Sequence, residues 1–102
     1  MPKQIILYNL ASHVTDEQLK EYVTKEKGPL MESFPSVEKY ELIKITDSAT
    51  GKIPFKYIGI MHVKDMKGLR ERDQKSQKYQ EFAAKFRPMV TELHSLFGEE
   101  IY

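Results

Sequence analysis

The chain has no cysteine and no tryptophan. Without thiols, disulfide staples, thiolate zinc sites and thiol catalysis are excluded. An excess of one charge is also missing: 16 basic and 15 acidic side chains leave +1. A non-specific polyanion binder normally carries a basic surplus, so that class is disfavoured. Long apolar runs are absent too. After Met1-Pro2-Lys3-Gln4 comes only Ile5-Ile6-Leu7, which polar Asn9 soon follows, so the start does not resemble a signal peptide. Nothing approaches the roughly 20 apolar residues of a membrane span. These absences point to the cytoplasm. No two histidines lie at i, i+3 or i, i+4 and no carboxylate cluster joins them, so no metal site is expected. Gly51-Lys52 is an isolated pair, not a phosphate loop, and no Gly-x-Ser-x-Gly arrangement occurs. No cofactor is expected.

What is present is a core of modest size. Hydrophobic residues make up 40% of 102 positions, which suits a single domain over residues 1–102. A chain this short buries only about two thirds of its unfolded surface, so a second subunit would help it.

Ile5 to Leu10 reads as a buried strand with no polar face. Thr15-Asp16-Glu17-Gln18 has the form of a capping box, with Thr15 as N-cap. Leu19, Tyr22 and Val23 form the stripe of the helix it opens. Gly28-Pro29 interrupts that helix, Leu30, Met31 and Phe34 continue an apolar face, and Pro35 ends it. Val37 to Thr46 is a second strand, 47–52 has hairpin-loop composition, and Tyr57 to Val63 is a third strand. Asp65 is a plausible cap. The run from Lys67 to Lys78, including Arg70-Glu71-Arg72-Asp73, reads as a solvated helix or loop. Tyr79, Phe82, Ala83, Phe86 and Val90 follow helical spacing, and Leu93 to Phe97 reads as a fourth strand. The order βαββαβ is the ferredoxin-like α+β arrangement: a four-stranded antiparallel sheet with helices on one face.

Both faces of that sheet are apolar. Ile6, Tyr8 and Leu10 oppose Ile5 and Leu7, while Tyr57, Gly59, Met61 and Val63 oppose Ile58, Ile60 and His62. Helices cover one face only. The other is an exposed apolar patch of the kind that marks an interface, which predicts a homodimer with two sheets face to face.

Two families share this order. Ile5 to Leu10 followed by Val14 to Leu19, with Thr50-Gly51-Lys52 before Tyr57 to Ile60, resembles an RNA-recognition motif. Such domains stack bases on aromatic rings of the open sheet face. The matching positions here are Ile6, Ile58 and Ile60, which offer no stacking surface, and the near-zero net charge supplies no phosphate attraction. Phe34-Pro35-Ser36-Val37-Glu38-Lys39-Tyr40 resembles instead the entry to the second strand of dimeric α+β-barrel proteins. Ser76 to Phe82 and Phe86-Arg87-Pro88-Met89-Val90 resemble their last helix, with Tyr79 where histidine is common; haem is accordingly weakly supported. Within that superfamily the chain is similar to the RedY-like group, which includes HapK of prodigiosin-type pigment pathways. The resemblance implies a cytoplasmic homodimer of secondary metabolism. Its wider superfamily includes cofactor-free cyclases, monooxygenases and isomerases that hold an aromatic or polycyclic substrate between sheet and helices.

Tyr8, Tyr57 and Tyr79 are expected to converge on such a pocket, with Gly59 leaving room beside Met61. The three histidines, His13, His62 and His94, are of the one side-chain type suited to proton transfer near neutral pH. His62 shares the parity of Ile58 and Ile60 and falls on the dimer face. His13 follows the first strand near a possible cavity mouth. His94, together with Tyr79, is the expected acid/base pair, provided its strand turns it toward Tyr8. The substrate-binding set is then Tyr8, Tyr57, Gly59, Met61 and His13. Three functions follow: a cofactor-free enzyme of cyclisation, condensation or dehydration acting on an aromatic or pyrrolic metabolite; a non-catalytic helper of another pathway enzyme; and, with least support, an RNA binder.

Overall fold

The computed structural model describes residues 1–102. The strands are β1 (Lys3–Leu10), β2 (Val37–Lys44), β3 (Tyr57–Val63) and β4 (Val90–Gly98), in one antiparallel sheet of order β2-β3-β1-β4. The helices are α1 (Asp16–Tyr22), α2 (Gly28–Ser33), α3 (Met66–Glu71) and α4 (Gln77–Phe86). The ferredoxin-like order expected from the sequence is therefore the one adopted.

Thr15 caps α1 as its sequence predicts. Its hydroxyl accepts from the Gln18 N–H, and the Gln18 side chain accepts from the Thr15 N–H. Gly28-Pro29, in contrast, does not break the helix. Residues Val23–Lys27 form a π-turn, and the Gly28 N–H reaches back to the Val23 carbonyl. The wider turn lets Pro29, which has no N–H to give, enter the first turn of α2. A side chain at Gly28 would set its Cβ 2.8 Å from the Val23 oxygen, closer than real Cβ atoms come. Gly28→Ala should therefore destabilise the protein by roughly 2 kcal/mol, against alanine's helix preference of about 1 kcal/mol. Urea denaturation of the two proteins checks this; a more stable alanine variant would mean that the turn is not widened.

The charged run after β3 departs from its expected reading at one residue. Of the two expected forms, helix or loop, it takes the helical one, as α3 and a short 3-10 turn (Asp73–Lys75), but Asp73 is buried rather than solvated. Burial raises its carboxyl pKa, but hydrogen bonds from Arg72 Nε (2.8 Å) and the Ser36 N–H (3.3 Å) outweigh that and hold it low. The run thus ties α3 to the segment that enters β2.

The core is one layer between sheet and helices, in two clusters. Met31, Phe34, Val37, Tyr40, Met61, Val63 and Leu69 form the first. Tyr8, Leu19, Tyr22, Tyr57 and Phe86 form the second. On the other face of the sheet Ile5, Leu7, Ile58 and Ile60 are half-buried, while Ile43 and Leu96 are exposed. Ile60 lies at its centre, paired with Ile5 on β1 and Glu41 on β2.

The last strand is longer than expected and carries a bulge. From Val90 and Thr91 the pairing onto β1 runs opposite Leu10 and Asn9. One extra residue then intervenes, and His94 falls opposite Leu7 and Ser95 opposite Ile6. Glu92 sits at the bulge with φ of 52°. Asn9 pins it, donating from Nδ2 to Glu92 Oε2 (3.1 Å) and to the Pro54 carbonyl (2.9 Å), while its Oδ1 accepts from the Lys56 N–H (2.9 Å).

Candidate ligand cavity

The bulge decides where the histidine goes. Had the first pairing continued unshifted, His94 would face Ile6 and share its helix-covered side. The extra residue moves it opposite Leu7, on the open face, where its ring packs edge-on against Phe55 with centroids 5.2 Å apart. The expected pocket-facing register of His94 is thus not the one adopted. Leu93 and Ser95 take the helix side instead. His13 is exposed in the turn after β1 and lines no cavity with the tyrosines. His62 does lie on the open face, its Nε2 2.5 Å from Glu41 Oε1. That contact, ahead of the nearby Lys39 and His62 charges, holds the Glu41 carboxyl low.

The tyrosines divide. Tyr8 and Tyr57 face the helices as expected and stack on each other (5.7 Å between centroids, 17° between planes); neither lines the cavity that holds Tyr79, and Tyr57 borders a separate cleft beside β2. The Gly59 gap is filled: a Cβ there would meet the Tyr40 hydroxyl at 3.4 Å. Tyr40 takes the place expected to be empty. Tyr79 and Met61 do line a cavity, with Tyr40, Phe82, Phe86 and Lys27; its volume is about 200 Å³.

Lys27 is the residue the sequence reading passed over. It closes the π-turn, and it is only 1% exposed. Its ammonium nitrogen lies 3.9 Å from the centroid of the Phe86 ring, 5.3 Å from those of Tyr8 and Tyr40, and 5.6 Å from that of Phe82. It bridges the two core clusters, with aromatic rings as its neighbours and no hydrogen-bond partner. The nearest carboxylate in sequence, Glu26, turns outward to Lys85 (2.8 Å). Burial alone lowers the Lys27 pKa from 10.5 to about 7, so near neutrality the amine exchanges between its charged and uncharged forms. The hydroxyls of Tyr8, Tyr40 and Tyr57 are also buried without a partner. Burial raises the pKa values of Tyr8, Tyr40 and Tyr79, which stay neutral phenols. A signal for Lys27 was in the sequence: it stands four residues after Val23 and four before Met31, on the apolar stripe itself.

Away from the amine the cavity turns polar. Gln74 Nε2 donates to Gln4 Oε1 (2.7 Å), and Gln4 Nε2 donates to Ser95 Oγ (2.7 Å). Arg87 and Leu93 lie on its exposed margin. A second, more open cleft of about 590 Å³ runs between β2 and the first two helices and shares Tyr40 with the cavity. Lys44 pairs there with Asp16, and Glu32 accepts from the Tyr40 N–H (3.2 Å), while Tyr57, whose hydroxyl has no partner, borders it too. What sets the smaller cavity apart is the unpartnered buried amine of Lys27. There is no group of three or more histidines and carboxylates placed to hold a metal.

The open face shows why the RNA-binding likeness ends at the first half of the chain. Ile6 belongs to the helix side, and Ile58 and Ile60 present no ring for a base. No helix is long and apolar enough to cross a membrane.

A four-stranded ferredoxin-like α+β layer, with an aromatic cavity between sheet and helices, defines the class. Within it, the chain belongs to the family described as REDY-like protein HapK, which it matches over residues 2–101. The crystal structure of HapK from Hahella chejuensis is similar at a TM-score of 0.80 with 18% identity, over 99% of this chain and 93% of that one. A dimeric ferredoxin-like protein of unknown function from Thermobifida fusca gives 0.73 with 17% identity, over 97% and 90%. SnoaB, a cofactor-independent oxygenase from Streptomyces nogalater, gives 0.78 with 13% identity, over 99% and 93%. No curated protein sequence matches the chain.

Proposed function

We propose that this protein is a small cytoplasmic homodimer of secondary metabolism that holds an aromatic or pyrrolic intermediate between sheet and helices and assists its cyclisation, condensation or dehydration. The observation that carries this reading is the cavity, walled by Tyr40, Tyr79, Phe82 and Phe86 and closed by Lys27. Rings of this kind orient a flat substrate and exclude water, while the few polar groups fix its direction. A cavity of about 150 Å³ accommodates benzene, so a volume of about 200 Å³ suits one substituted ring or the inner end of a larger molecule. The family membership supports the metabolic setting, and the face-to-face dimer accounts for the apolar patch around Ile60. His94 and His13 lie outside the cavity, which leaves Tyr79 and Lys27 as its proton-transfer groups and keeps the non-catalytic helper as a second reading.

The test is a titration with 2-methylpyrrole and with candidate pyrrolic intermediates, followed by thermal shift and by mass analysis of products. Ala83 lines the cavity from α4. Ala83→Leu should fill it and weaken binding about tenfold or more, with the fold retained; a methylene or two is worth roughly 1–3 kcal/mol in such a site. Unchanged binding by that variant would place the ligand elsewhere. Binding without turnover of any intermediate would favour the helper.

A further inference from the structure

We infer that Lys27 is a nucleophilic amine that captures an aromatic aldehyde or ketone as an imine inside the cavity, an inference that rests on the ligand-binding reading above. Four observations meet at this residue. A lysine at the end of the π-turn occupies the apolar stripe of its helix, where an aliphatic side chain would suffice for packing. The amine has no hydrogen-bond partner and no counter-ion. It lines a cavity large enough for one ring. Its neighbours are the faces of Tyr8, Tyr40, Phe82 and Phe86, a surface that stacks with flat π systems.

The charged and titratable groups around it leave the amine free to react. Tyr8 on β1, Tyr40 on β2 and Tyr22 on α1 are phenols held neutral, the last with its pKa pushed up to about 12 by burial and by Glu26. From α4 the rings of Phe82 and Phe86 lie against it, Tyr79 lines the same cavity as a phenol that burial keeps neutral, and Arg87 at the cavity margin would disfavour a second cation. Lowered basicity through desolvation is how a lysine becomes a nucleophile near neutral pH.

The step balances without a co-reactant. The nitrogen lone pair adds to the carbonyl carbon, the C=O π pair moves to oxygen, and an amine proton transfers to that oxygen to give a carbinolamine. The C–O bond then breaks, water leaves, and a C=N bond remains. Once protonated, that carbon is more electrophilic than the aldehyde it came from. Attack on it by an electron-rich ring, or loss of a neighbouring C–H proton, are the steps a condensation or dehydration requires. The substrate class is therefore a ring-bearing carbonyl compound.

Reductive trapping tests this. The wild-type protein is incubated with pyrrole-2-carbaldehyde and cyanoborohydride near neutral pH, and adducts are mapped by peptide mass. The expected result is one reduced adduct per chain at Lys27, formed at least about tenfold faster than at any surface lysine, because surface amines are almost wholly protonated there. Excess 2-methylpyrrole, which has no carbonyl, should slow it. Lys27→Met should lose the adduct, and mapping on the wild type keeps the result independent of that variant's folding. Thermal stabilisation by 2-methylpyrrole with no Lys27 adduct would overturn the imine and leave the binding reading standing. Neither stabilisation nor adduct would overturn both.

Discussion

Lys27→Met will make the protein more stable at neutral pH and remove most of its pH dependence between about pH 7 and 9.5. In the unfolded chain the amine titrates near 10.5, and in the folded protein near 7. Below about pH 7 both states bind the proton, so the folded state carries the full cost of a buried cation. Between the two values the unfolded chain binds the proton that the folded chain has released, and stability climbs with pH at up to about 1.4 kcal/mol per unit. Above 10.5 the cost has vanished. The window closes somewhat earlier, because the unfolded phenols of Tyr8 and Tyr40 begin to ionise near pH 10 while their folded counterparts remain neutral, which lowers stability again. Methionine has a similar length and no charge, so it keeps the packing on Phe86 and Tyr40 without the desolvation cost. The gain at pH 7 should be about 3–4 kcal/mol, with a rise in Tm of roughly 15 °C. Denaturation curves across this pH range measure it. Equal stability of the two proteins at pH 7, with parallel pH profiles, would show that the amine is solvated. A protein that keeps so costly a residue has a use for it, which links the stability measurement to the trapping experiment.

Ile60→Asp should convert a dimer into a monomer. Ile60 stands between Ile5 and Glu41 at the centre of the face that no helix covers. In a face-to-face dimer two such carboxylates would be buried close to each other and to Glu41, which already engages the neighbouring Lys39 and His62. Several kcal/mol are lost per buried charge, so association should weaken by at least about a hundredfold. The monomer's own core lies on the opposite side of the sheet, so circular dichroism should show a retained fold. Light scattering at micromolar concentration decides the matter. A monomeric wild type would end the dimer reading, and a variant that remains dimeric would move the interface to another face.

Most of the fold was legible in the sequence because it is written in local signals. Thr15 and Gln18 form a capping box wherever they stand, and strict alternation in Tyr57–Val63 fixes which side chains meet the helices. Those signals determined the βαββαβ order, the two apolar faces, the cap of the first helix and the inward orientation of Tyr8, Tyr57 and Met61. Tertiary structure decided the remainder, and it did so through single residues inserted out of period. One extra residue at Glu92, held by Asn9 from β1, turns His94 away from the cavity. One widened turn before Gly28 carries the chain through a proline that local rules read as a stop, and it swings Lys27 between two core clusters. Neither insertion has a sequence period of its own. Both depend on partners distant in the chain, Asn9 for the first and Tyr8, Tyr40 and Phe86 for the second. Local propensity placed the walls of the cavity, and long-range packing chose the reactive groups inside it.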